Sequence, residues 1–128
     1  MSAPVPFQYA ILRLVPSLER GEHINVGVAL FCRQAGFLEV ATALDESRLA
    51  AIAPDLPAGE VRPHLEALTA VAAGDPAGGA VAAMPPSERF HWLVAPSSTI
   101  VQPSPVHTGL TDDPAATLRR LLERLVLI

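Results

Sequence analysis

The chain has 128 residues, half of them hydrophobic and 17% charged, a length that sustains one shared hydrophobic core and a balance that excludes an intrinsically disordered chain. Its formal net charge is -4 and all nine basic residues are Arg. With no dense basic run, the chain lacks the attraction to phosphate backbones that drives nucleic-acid binding, so no nucleic-acid partner is expected.

The absence of Lys beside many Ala, Pro and Gly fits a GC-rich, hence bacterial, coding sequence. A single cysteine, Cys32, allows no intramolecular disulfide and no CxxC pair, which suits the cytoplasm. No basic segment introduces the apolar run at Tyr9, and nowhere do about eighteen apolar residues follow one another, so neither export nor a membrane span is expected. The apolar excess then belongs to a large buried fraction or to an oligomer interface, with a homodimer favoured.

In chain order, FQYAILRLV over Phe7 to Val15 reads as a strand. Phe7, Tyr9, Ile11 and Val15 fall on one side and Ala10, Leu12 and Leu14 on the other, so it is expected to lie centrally, covered on both faces. Arg13 interrupts it and needs a partner or an exit to water. Glu22 to Cys32 follows as a second strand. Strict alternation gives it one greasy face, Ile24, Val26, Val28, Leu30 and Cys32, and one small, partly polar face, His23, Asn25, Gly27, Ala29 and Phe31. Arg33 to Gly36 is a short loop, and Phe37 to Leu44 completes an antiparallel hairpin.

Asp45 is a helix N-cap, with Arg48, Leu49 and Ile52 at helical spacing before Pro54. A longer helix is predicted over Gly59 to Ala73, Val61, Leu65, Leu68 and Val71 facing the core and Arg62, Glu66 and Thr69 facing water. Gly74 to Gly79, GDPAGG, reads as a flexible loop. Pro85, Pro86 and Ser87 open a short helix to about Leu93, with Ser87 as its cap. Thr99 to Gln102 is a short strand between prolines. Asp113 caps and Pro114 begins a terminal helix carrying the stripe Leu118, Leu121, Leu122 and Leu125. The order predicts one α+β domain over residues 1–128: a small, mainly antiparallel sheet of about four strands, including an N-terminal hairpin, packed by three to four helices.

Two polar segments exceed what core packing requires. In Arg20-Gly21-Glu22-His23-Ile24-Asn25-Val26-Gly27, charge meets glycine at a strand entrance. From Pro96 to Gly109, prolines 103 and 105 fix the path of Gln102, Ser104 and His107, holding donors and acceptors with little freedom. Each has a bland counterpart, a solvated turn in the first case and a capped, proline-stiffened connection in the second. No phosphate-cradling glycine loop is present, and His23, His64, His91 and His107 are scattered without an HxxxH pair, so no cofactor and no metal are expected. Cys32, ending a greasy strand, is expected to be buried and inert.

The stretches Tyr9 to Arg13, Arg20 to Val28 and Ser98 to Gly109, in that order, resemble the bacterial domain-of-unknown-function family DUF3037, over Phe7 to the last helix. The resemblance implies a stand-alone bacterial cytoplasmic protein and carries over no reaction, substrate or cofactor. Relatives encoded beside kinases of the HipA type imply, by association, an accessory or regulatory role toward a protein partner.

The leading reading is a non-catalytic binding or regulatory module acting on a protein partner or a small anionic ligand. The two polar segments are expected to meet at one end of the sheet, where Arg20 recognises an anionic group and Asn25, Gln102 and Ser104 hydrogen-bond it, with Arg13, Glu22 and His107 as further candidate binding residues. The alternative is a small enzyme using His107 as general base with Glu22 or Arg20 as electrostatic partner. A third is an oligomer or complex subunit whose terminal Leu stripe completes another core.

Overall fold

The N-terminal strand is the one on which the rest is assembled. In the computed structural model, which describes residues 3–97 and 99–128, β1 (Val5–Leu14) pairs antiparallel with β2 (Ile24–Cys32) along one edge. Along its other edge it pairs with two short antiparallel strands in succession, β4 (Val101–Pro103) and β5 (His107–Thr111). The strand β3 (Phe37–Thr42) forms a hairpin with β2 through a turn closed by Gly36 at φ 62°. The five-stranded sheet therefore runs β3-β2-β1, then β4 and β5 side by side on the outer edge of β1. Ser98, which opens the third stretch of the family resemblance, lies outside the described residues.

Strict alternation along β2 does not hold, and a β-bulge is the reason. Leu12 pairs with Gly27 but Arg13 pairs with Asn25, leaving Val26 as the extra residue. Ile24 and Val26 therefore share a cluster with Ala29 and Phe31, while Val28, Leu30 and Cys32 belong to another. Both faces of β2 are apolar as a result. Gly27 sits where the strands crowd, since a Cβ there would lie 2.8 Å from the Ala41 carbonyl oxygen.

One face carries α1 (Glu46–Ile52), α2 (Ala58–Ala73) and α3 (Pro86–Leu93), whose Leu49, Val61, Leu65, Val71 and Phe90 bury against Leu12, Leu14, Val26 and Phe31. The other face carries α4 alone (Pro114–Leu125), where Leu118 and Val126 pack on Phe7, Val28, Leu30 and Cys32. The helix ends follow local chemistry. Asp45 accepts from the Ser47 and Arg48 amides, Asp113 accepts from Ala116, and Pro114 fills the first turn of α4. At the end of α2, Gly74 turns with φ 71° while the Arg89 guanidinium on α3 donates to the Val71 and Ala72 carbonyls at 3.2 and 3.0 Å.

Three expectations are revised. The GDPAGG stretch is not slack: it enters a 3-10 segment (Pro76–Ala83) capped by Asp75, and Gly78 lies so close to α2 that a Cβ would be 2.9 Å from the Val71 nitrogen. Ser87 sits inside the first turn of α3 rather than capping it, because Pro85 is the N-cap. His107 to Thr111, read as part of a loop, is the fifth strand.

Candidate functional site

The outer edge of β1 has a defect that the sequence builds in deliberately placed residues. The Val15 N–H donates to the Ile100 carbonyl and the Ser104 N–H to the Ile11 carbonyl, both at 2.7 Å, so Ser104 faces β1 while the nitrogen of Pro103, which has no N–H to leave unpaired, faces outward. The pairing then shifts by one residue between Ser104 and His107, and Ser104 bridges the break. Its Oγ accepts from the Ile11 N–H at 2.8 Å and donates to the Pro105 carbonyl at 2.9 Å. Ser104 is 3% exposed. The hydroxyl expected to face a ligand instead completes the sheet.

β1 separates the two polar segments, and Arg13 on it lies between one residue of each. In the register of the sheet Arg13 lies opposite Asn25 on one side and opposite Gln102 on the other, so the three form a row about 10 Å across, two strand spacings wide. The Asn25 amide nitrogen donates to the Leu125 carbonyl at the end of α4, 3.0 Å away, and that of Gln102 donates to the Thr99 carbonyl at 3.1 Å. Their amide oxygens accept no hydrogen bond from the described residues. Arg13 is flanked by these amides and has no ion pair or hydrogen bond among the described residues, and its Nε is buried without a partner.

The remaining candidates lie elsewhere. Arg20 and Glu22 form an exposed ion pair at 2.6 Å on the β1–β2 connection, turned by Gly21 at φ 70°. The hydrogen bond and charge of Glu22 raise the Arg20 pKa above its ordinary value, so each answers the charge of the other. His107 pairs across from Tyr9, with ring centroids 5.2 Å apart, and Tyr9 in turn stacks on Phe7 at 5.9 Å. Tyr9 and Arg13 are four positions apart along β1, roughly 13 Å. Glu22 lies beyond the Leu14–Ile24 pair that ends the β1–β2 ladder. The register thus keeps His107 and the Arg20–Glu22 pair about 16 Å apart along the strand, and the general-base arrangement with Glu22 or Arg20 is not assembled.

Cys32 is buried with its sulfur 3.4 Å from the Pro6 carbonyl. Among the described residues no three His, Cys, Asp or Glu gather as metal ligands, and no helix is long and apolar enough to cross a membrane.

Two recesses were not legible in the chain. A groove of about 580 Å³ lies between the end of β3 and α2, lined by Thr42, Arg62, Leu65, Glu66, Thr69 and Asp75. A cleft of about 300 Å³ between α2, α3 and β4 includes His64, Leu68, Ser97, Thr99 and the half-exposed Trp92. Their walls come from elements distant in sequence, and only the exposed positions of α2 gave a signal.

No curated protein and no solved structure matches the chain. Of the three stretches that carried the resemblance, Tyr9 to Arg13 lies on β1, Arg20 to Val28 is the turn into β2 with most of that strand, and the described residues of Ser98 to Gly109 include the bridged edge; with the model for the protein of unknown function DUF3037 matching residues 9–126, the chain belongs to that family.

Proposed function

We propose that this protein is a non-catalytic binding or regulatory module that recognises an anionic group at the Gln102–Arg13–Asn25 row. The observation that supports this reading most is Arg13: a guanidinium with a buried Nε, no carboxylate within ion-pairing distance among the described residues, and fixed amides on either side. Of the Arg13 nitrogens Nε is closed off from solvent, so an incoming carboxylate or phosphate oxygen meets the terminal N–H groups, which have no partner among the described residues. The guanidinium supplies directional charge-assisted hydrogen bonds, and the free amide oxygens of Asn25 and Gln102 accept N–H or O–H groups on the same ligand. The ligand chemistry is therefore an anionic group next to a hydrogen-bond donor, presented by a small molecule or by a side chain of a protein partner. In the second case the HipA-type kinase suggested by association is the partner to test, by size exclusion of the two proteins together.

The decisive comparison is between two arginines. Calorimetric titration with inorganic phosphate and with glutamate is expected to show saturable binding to the native protein, unchanged in Arg20→Gln and at least ten-fold weaker in Arg13→Gln. Equal binding by all three proteins, or none to any, overturns the proposal.

A further inference from the structure

The opposite edge of the sheet carries an inference independent of the Arg13 row. Along an antiparallel strand, N–H and C=O groups of alternate residues point to alternate neighbours. Because the Ala43 N–H donates to the Val26 carbonyl at 2.8 Å, the backbone groups of Phe37, Glu39 and Ala41 face β2, and those of Leu38, Val40 and Thr42 face away from it. Among the described residues the sheet has no further strand beyond them, and no hydrogen bond from those residues reaches these outward groups.

Edges of this kind are ordinarily protected by proline, bulges or clustered charge. The β4–β5 edge has two prolines and a break, whereas β3 is regular, has no proline, and has one charge, Glu39. Beside the end of this bare edge lies the groove of about 580 Å³ against α2. A strand added to β3 would hold some of its side chains on that face, next to Thr42, Thr69 and Glu66, and the rest on the face of Glu39.

Charge decides the occupant. Arg62, the cation of the groove, is paired with Glu46 at 3.0 Å, which leaves the carboxylates of Glu66 and Glu39 without a cationic partner among the described residues. A second copy adding through its own β3 would bring no basic side chain and would set two Glu39 carboxylates on one face of a continuous sheet, an unfavourable like-charge arrangement. We infer that the free edge of β3 takes an extended segment of another protein, one with basic side chains at alternate positions, as a sixth strand.

The probe is a capped octapeptide of alternating Lys and Val, titrated into the full chain and followed by backbone amide NMR. Expected are saturable shifts at Leu38, Val40 and Thr42, with hydrogen exchange at these amides slowed at least ten-fold. Affinity should fall at least ten-fold for the alternating Glu and Val peptide and for Glu39→Lys, an exposed substitution that leaves the core intact. N-methylating one alternate set of peptide amides should abolish binding while methylating the other set leaves it. The inference is overturned if the Lys peptide leaves these three amides unmoved, or if both methylated peptides bind alike. It also fails if the peptide-free protein is already a dimer with those amides protected, which would make a second copy the occupant.

Discussion

The two edges of the sheet treat the same problem in opposite ways. At the β4–β5 edge, the pairing with β1 shifts by one residue, and the chain restores continuity with a buried serine hydroxyl. At the β3 edge, the backbone offers Leu38, Val40 and Thr42 with nothing to answer them. The broken edge is specified side chain by side chain and therefore fragile to substitution. The regular edge depends on backbone alone, and its surface side chains carry little of the stability.

The largest effect is expected at Gly109. It faces Phe7 across the strands, and a Cβ would lie 2.7 Å from two atoms of that buried ring. Gly109→Val should displace Phe7 from the α4 side of the core and cost about 3 kcal/mol, the upper part of the range for overpacking, measured by urea denaturation. A loss below about 0.5 kcal/mol, within the range of ordinary surface changes, would mean that the ring moves aside freely.

Ser104→Ala comes next. It leaves the Ile11 N–H without its acceptor, for a cost of about 1–3 kcal/mol, and should raise hydrogen exchange at Ile11 while leaving that at β2 near its native rate. Unchanged protection at Ile11 would show that the bridge is not what holds this edge. Hydrogen exchange of the native protein sharpens the contrast further: Ile11 should be protected despite the break in pairing beside it, and Val40 should exchange faster despite its buried side chain, 7% exposed. The smallest effect belongs to the other edge, where Glu39→Gln should change stability by no more than about 0.5 kcal/mol.

Much of the architecture was legible because it depends on local chemistry. Asp45 and the Asp113–Pro114 pair marked two helix starts correctly, and the stripe Leu118, Leu121, Leu122 and Leu125 identified the face of α4 that packs. The bulge at Val26 was not legible, because an extra residue changes the phase of alternation without changing composition. Nor was β5: a strand of five residues with glycine at its centre and proline just before it has the composition of a loop, and only pairing with Val5 to Tyr9 makes it a strand.

The site divides along the same line. β1 runs between the segment from Arg20 to Gly27 and that from Pro96 to Gly109, so they flank Arg13 through Asn25 and Gln102 without meeting, and Arg20, the expected cation, lies elsewhere. The hydroxyl of Ser104 looked free because sequence does not show which backbone donor lacks an acceptor. Arg20 and Glu22 are two residues apart and satisfy each other, and His107 rests on Tyr9, a contact set by register rather than by spacing.

The central claim is that Arg13 is held unpaired for an anion, and the Arg13 Nε–H resonance reads this directly. Titration with inorganic phosphate should shift that signal saturably, together with the side-chain amides of Asn25 and Gln102, while the Nε–H of the ion-paired Arg20 stays in place. Parallel, unsaturating shifts at both arginines, or an Arg13 signal that phosphate does not move, would contradict the account.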